Sequence, residues 1–182
     1  MMQVMIFLIG TLGFSLVSYQ SLRQPGTHGF YRYFAWELIL LLFALNLHAW
    51  YQSLDGLHQT MASVLLLISL FLVLAGVIQL RLFGKPNPQR NDVPMVHFEK
   101  TTVLVKTGIY RYIRHPLYGS LFFLGWAFFF KDPSLVGSVI AAGASAFLML
   151  AASREEVECI RFFGEPYCDY MKVSKRLVPF VW

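Results

Sequence analysis

Thr107-Gly108-Ile109-Tyr110-Arg111-Tyr112-Ile113-Arg114-His115-Pro116-Leu117-Tyr118-Gly119 is the stretch in which this chain changes character. A basic, proline-bearing loop precedes it, and an apolar block from Leu117 to Ala152 follows. Cations and phenols gather here beside a proline suited to the first turn of a helix. Placed where a basic loop meets an apolar segment, such a cluster suits a charged ligand bound at a membrane surface.

The apolar block is broken by Lys131-Asp132-Pro133, which predicts two antiparallel helices joined by a tight polar turn. The first arm is short enough to tilt or to begin at the interface. Upstream, Met2 to Tyr19, Tyr33 to Tyr51 and Met61 to Phe83 each approach or exceed the roughly 20 residues needed to cross about 30 Å of hydrocarbon. Composition agrees, since 57% of 182 residues are hydrophobic and only 14% are charged, more apolar surface than a soluble fold of this size can hide. The expected fold is an all-α, polytopic integral membrane protein with about five transmembrane helices. Three of them fall in residues 1–83, and residues 84–182 hold the polar loop, the hairpin 117–152, a further helix and a tail.

Dividing the cations by this map tests it. With the amino terminus outside, the inner segments hold Arg23, Arg32, Arg81, Lys85, Arg90, Lys100, Lys106, Arg111, Arg114, Arg154, Arg161, Lys172, Lys175 and Arg176, leaving only Lys131 outside, fourteen of fifteen. That asymmetry places the carboxy terminus on the cytoplasmic side and explains the net charge of +5 without a nucleic-acid partner. The segment Met1 to Tyr19 lacks the basic start and small-residue cleavage site of a signal peptide and reads as a retained span. Cys159 and Cys168 are too far apart for a disulfide on one helix and read as reduced thiols. No spacing of Cys, His and acids makes a metal site, and no phosphate-binding or dinucleotide glycine loop is present.

Chemistry is expected in the second half. The loop from Gly84 to Lys106 carries Pro86, Asn87, Pro88, Asn91, Asp92 and Pro94 and cannot be a single helix. Ser153 to Tyr170 reads as a polar helix interrupted at Gly164-Glu165-Pro166, and Lys172 to Trp182 as an interfacial strip covering the site.

Three constellations carry polar groups. At Tyr110 to Tyr118, Pro116 can open a helix whose amides and positive dipole end face an anion, with Arg114 and His115 beside it. A lipid-anchoring belt of arginines and tyrosines accounts for the same residues. At Arg154-Glu155-Glu156-Val157-Glu158, a carboxylate can take an ammonium or sulfonium group, whereas a solvated helix face with an Arg154–Glu158 pair is the plainer account. Glu37, inside the second apolar segment, is costly in hydrocarbon and so a functional candidate, yet Arg32 and Tyr33 lie one turn away to pair with it.

Taken together, Gly108-Ile109-Tyr110, Arg114-His115-Pro116-Leu117-Tyr118-Gly119, Glu155-Glu156, Phe163-Gly164, Tyr167, Tyr170 and Pro179-Phe180 resemble the carboxy-terminal signature of the isoprenylcysteine carboxyl methyltransferase and phospholipid methyltransferase superfamily. The likeness covers about Thr101 to Phe180, and makes residues 84–182 a methyltransferase-like core. The resemblance implies S-adenosylmethionine in a cytosol-facing pocket and a lipophilic acceptor from the bilayer. By position it implies a cofactor lining of Thr102, Val103, Leu104, Val105, Tyr110, His115, Pro116, Leu117, Tyr118 and Glu155, with Glu156 beside it. Arg114, His115 and Glu37 are the catalytic candidates. The chemistry is compatible: an acid suits the cofactor's amino group, basic groups and a helix end suit its carboxylate, and aromatic faces suit a sulfonium.

Methyl transfer is an in-line displacement that needs alignment and desolvation and no covalent nucleophile. A general base is needed only when the acceptor must shed a proton. Isoprenylcysteine-type members carry an arginine four residues before the position of Glu155, where this chain has Ala151. That departure points away from a prenylated cysteine carboxylate as acceptor and leaves open an amine head group, a quinone-like or phenolic hydroxyl, or a small thiol. Two other readings remain: an NADPH-dependent membrane reductase of the sterol or enone type, which shares an Arg-His-Pro-like segment, and a non-catalytic scaffold or transporter, against which the lack of repeat symmetry argues.

Overall fold

A computed structural model describes residues 1–51, 55–88, 90, 95 and 99–178. Asn91, Asp92 and Pro94 of the loop and Pro179, Phe180 and Trp182 of the tail lie outside the described residues. The described chain is helical, with helices α1 Met2–Val17, α2 Tyr19–Leu22, α3 His28–Leu45, α4 Leu57–Phe83, α5 Pro116–Lys131, α6 Leu135–Phe163 and α7 Glu165–Val173. Single 3-10 turns occupy Leu47–Tyr51 and Gly108–Arg111.

Two helices, α4 and α6, are long and apolar enough to cross a membrane, with 27 and 29 residues. Only 22% of the apolar window of α4 is buried within the protein, and 33% of that of α6. The core helix of a soluble protein would hide most of such a window, whereas Leu67, Phe71, Leu74 and Ile78 on α4 point outward. Helices α1, α3 and α5, at 16, 18 and 16 residues, reach only about 24–27 Å at 1.5 Å per residue.

The boundaries have local causes. Pro116 opens α5 at its first turn, where its missing N–H costs nothing. The hairpin turns at Lys131-Asp132-Pro133 as its sequence requires, because the residue before a proline is pushed out of the helical region. Ser134 then caps α6, its hydroxyl accepting the Gly137 amide at 3.0 Å. At the far end of α6, Gly164 takes φ 69° and ψ −145°, a conformation open to glycine alone, and α7 leaves in a new direction.

The second apolar segment differs from its expected limits. Its helix begins at His28 rather than Tyr33 and ends at Leu45, the remainder to Tyr51 forming the 3-10 turn. Glu158 on α6 causes the early start, since its carboxylate accepts the His28 amide at 3.0 Å and holds the His28 ring nitrogen as well. That carboxylate caps an otherwise open helix end from 130 residues away, beyond the reach of any local pattern.

The helices of the two halves interleave. α4 lies along α5, α3 along α6, and α1 along the outer side of α3. Gly76 on α4 allows the first approach, since a Cβ there would stand 3.1 Å from Leu117 and 3.3 Å from Pro116. The core between α3, α5 and α6 is built from Ala35, Tyr118, Leu148, Ala151 and Ala152, with Leu177 of the tail pressed into it.

Candidate active site

The site is assembled where α4 ends, α5 begins and α6 emerges. The loop after α4 folds back at once, with the Gly84 carbonyl accepting the amides of Thr102 and Val103 at 2.9 and 3.1 Å. An antiparallel bridge joins Pro86 to Thr101. Gly108 then passes so close to α4 that a Cβ would fall 1.8 Å from the Gln79 amide nitrogen, and its φ of +56° independently favours glycine. The 3-10 turn buries Tyr110, whose carbonyl accepts the Tyr170 hydroxyl from α7.

Two adjoining cavities of about 70 and 60 Å³ result. Tyr110, Arg114, His115 and Glu155 line both, Pro116, Leu117 and Tyr118 line the first, and Leu104 and Val105 the second. Thr102, Val103 and Glu156 line neither: Thr102 is exposed, its hydroxyl bonded to the Lys85 carbonyl, and Val103 is 42% exposed. Glu37 is not brought to the site, because it faces α1 and accepts the Thr11 hydroxyl at 2.7 Å.

The three glutamates of α6 separate because successive residues turn by about 100° around a helix. Glu155 faces the cavities, with its carboxylate 3.7 Å from His115 Nδ1. Glu156 is buried among cations. Arg114 Nε and Nη2 each lie 2.9 Å from its Oε1, and Arg176 donates through Nε to Oε1 at 3.1 Å and through Nη2 to Oε2 at 2.6 Å. Glu158 pairs with His28, not with Arg154 as an i,i+4 pair requires, and Arg154 lies 5.9 Å over the Tyr31 ring. A solvated acidic face is thus replaced by three carboxylates with three different partners.

Arg114 is also committed to the protein, since its Nη1 donates to the carbonyls of Met171, at 3.2 Å, and Ser174. His115, 5% exposed, caps α5 and stacks on Tyr118 with centroids 5.6 Å apart and planes at 22°. Its Nε2 stands 3.6 Å from Glu156 Oε1, too far for a hydrogen bond. His115 Nε2, the Tyr118 hydroxyl and Arg32 Nε are buried without a hydrogen-bond partner, and Arg32 Nη1 holds both oxygens of Glu99, a cavity-lining residue, at 2.7 and 2.8 Å. Unpartnered buried polar atoms are rare in folded proteins and mark places a ligand can complete.

Burial pushes the phenols of Tyr110, Tyr167 and Tyr170 above their ordinary value, so they are neutral hydrogen-bonding groups at physiological pH and not bases. Cys159 and Phe163 also line both cavities. Their spacing from Glu155, four and eight residues along α6, is a helical stripe legible in the sequence once Glu155 is singled out. Glu99, Arg32 and Arg176 carry no comparable signal, since each joins the site through a partner distant in the chain.

The phospholipid methyltransferase family model matches residues 57–166, from the start of α4 to the first turn of α7. The chain belongs to the phospholipid methyltransferase family. Among its relatives are the protein-S-isoprenylcysteine O-methyltransferase of Mus musculus, 33% identical over 93 residues, and its Homo sapiens counterpart, 32% identical over 93 residues. Each alignment covers 50% of this chain and 32% of the relative. Methanethiol S-methyltransferase from Crocosphaera subtropica is 30% identical over 86 residues, 46% of this chain and 32% of the relative. The chain thus spans about a third of the length of these relatives. No solved structure matches it. The family match encloses the cavity residues of α4, the loop, α5 and α6, and excludes α3 and the tail, which supply Arg32 and Arg176.

Proposed function

We propose that this chain transfers a methyl group from S-adenosylmethionine to a lipophilic acceptor that reaches the site from the bilayer. The observation carrying the reading is the convergence of Glu155, His115, Tyr110 and Tyr118 on one cavity within the family-matched segment, with two of their buried polar atoms unpartnered. The residues fit the cofactor's chemistry. Glu155 offers a carboxylate to a cationic group, His115 Nε2 and the Tyr118 hydroxyl offer hydrogen bonds, and their stacked rings offer aromatic faces. When bound, the cofactor supplies an activated methyl group on a cationic sulfur.

The chain's own contribution is alignment and exclusion of water. His115 is fixed by Pro116 and by its stacking on Tyr118, so the donors around the cavity are held before a ligand arrives. No tyrosine of the site can serve as a base at neutral pH, and an acceptor that attacks as a carboxylate or thiolate needs none. The arrangement in the membrane follows from the charge asymmetry: five spans, the amino terminus outside, and the site and carboxy terminus in the cytoplasm among anionic lipid head groups.

Calorimetric titration of the purified protein in detergent with S-adenosylhomocysteine and, separately, NADPH tests this reading. Saturable binding of S-adenosylhomocysteine alone is expected, weakened about tenfold or more by His115→Ala and by Glu155→Ala with the thermal unfolding midpoint held. Binding of NADPH alone would assign the protein to the membrane reductases instead. Binding of neither by folded protein would leave a scaffold.

A further inference from the structure

Arg176 lies in the tail segment that follows α7, lines neither cavity and falls outside the family match. Its main chain is nevertheless bound to the start of α5. The amides of Arg114 and His115 donate to the carbonyls of Lys175 and Arg176 at 2.7 and 3.1 Å, and the Lys175 amide returns to Tyr112 at 2.9 Å. From this fixed position the guanidinium reaches Glu156, whose side chain is 5% exposed, and supplies the contact to Oε2 that Arg114 does not make.

We propose that Arg176 is a positioning residue for the ligand cavity. By occupying the Glu156 carboxylate from the tail side, it keeps the His115 ring, and with it Glu155, directed at the cavity. The inference rests on the cavity being the cofactor site. The physical reason is competition for a buried acceptor. With the Arg176 side chain removed, Glu156 Oε2 loses its donor in a place water scarcely reaches, and an unsatisfied buried carboxylate oxygen is costly. His115 Nε2, itself unpartnered, stands 3.6 Å from Glu156 Oε1, and a carboxylate released by Arg176 can turn to meet it through a small rotation of the ring. That rotation unstacks the ring from Tyr118 and carries Nδ1 away from Glu155, 3.7 Å distant on the other side. One arginine that lines neither cavity therefore decides whether His115, Tyr118 and Glu155 keep their arrangement around it.

The test compares S-adenosylhomocysteine affinity, measured calorimetrically on the full chain in detergent, among the wild type, Arg176→Ala, Arg176→Lys and Gln59→Leu. Arg176→Ala is expected to weaken binding about tenfold or more, and Arg176→Lys, which restores one charged donor to Glu156, to recover affinity to within about threefold of the wild type. Gln59→Leu, at the opposite end of the bundle, is expected to lower the unfolding midpoint without changing affinity, which separates positioning from general loss of stability. Arg176→Gln, keeping the side-chain length and an amide donor, reads loss of the charge if the alanine variant does not fold, and is expected to bind more weakly than Arg176→Lys. Wild-type affinity in folded Arg176→Ala, or no recovery in Arg176→Lys, would overturn the role of Arg176 while leaving the cofactor reading intact. Absence of saturable binding in folded wild type would overturn the cofactor reading, and this inference with it.

Discussion

The two ends of the helical bundle are finished differently. At the hairpin end, Asn46 donates to the Phe128 carbonyl at 2.7 Å, Gln59 donates to the Lys131 carbonyl at 2.8 Å, and Lys131 returns to Gln59 Oε1 at 3.1 Å while lying 4.9 Å from the Trp50 ring. Among the described residues, no buried side-chain polar atom of this cluster lacks a partner. At the cavity end, His115 Nε2, the Tyr118 hydroxyl and Arg32 Nε all do. Each such atom costs about 1–3 kcal/mol if nothing completes it. A fold that satisfies a lysine, an asparagine and a glutamine at one end has no general difficulty in pairing polar groups. Two of the three atoms left over at the other end, His115 Nε2 and the Tyr118 hydroxyl, line the cavity and lie in the family-matched segment, while Arg32 Nε comes from α3 outside it.

Three substitutions probe this contrast, from the largest expected effect to the smallest. Glu156→Ala leaves Arg114 and Arg176 facing each other without their shared carboxylate and should destabilise the protein by about 3–5 kcal/mol, read as a collapse of the thermal unfolding midpoint in detergent. Gln59→Leu strips Lys131 of its hydrogen-bond acceptor in a satisfied network and should cost about 1–3 kcal/mol with ligand binding untouched. Tyr118→Phe removes a hydroxyl that has no partner in the protein and should leave stability unchanged or raise it, by at most about 1–3 kcal/mol, while weakening S-adenosylhomocysteine binding. A stability loss in Tyr118→Phe as large as that in Gln59→Leu would show that the two ends do not differ in this way.

Part of the cavity lining was picked out in the sequence, Tyr110, Arg114, His115, Pro116, Tyr118 and Glu155 by residue type and Leu104, Val105 and Leu117 only through the family resemblance. Tyr110, Arg114, His115, Pro116, Leu117, Tyr118 and Glu155 meet at one cavity system, and Leu104 and Val105 join them. These residues lie in short segments whose local geometry, a proline-opened helix and a glycine-set turn, is encoded within a few positions. Glu37 drew attention because an acid in an apolar helix is conspicuous, but its neighbour Thr11 belongs to α1, on the side of α3 away from the cavity. Glu156 stood beside Glu155 in sequence and lies about 100° from it around the helix, which is enough to move it from the cavity to the arginines.

The sequence by itself determined the helical class, the hairpin turn at Lys131-Asp132-Pro133 and the break at Gly164. All of these follow from propensities, hydrophobic runs and backbone restrictions acting over one or two turns. Only the tertiary structure decided which carboxylate each cation takes: Glu99 for Arg32, Glu156 for Arg114 and Arg176, and Glu158 for His28. Charge pairing depends on distance and burial in space, and the partners of these pairs lie 20 to 130 residues apart in the chain. No local pattern carries that information, because it comes into being only when the helices pack.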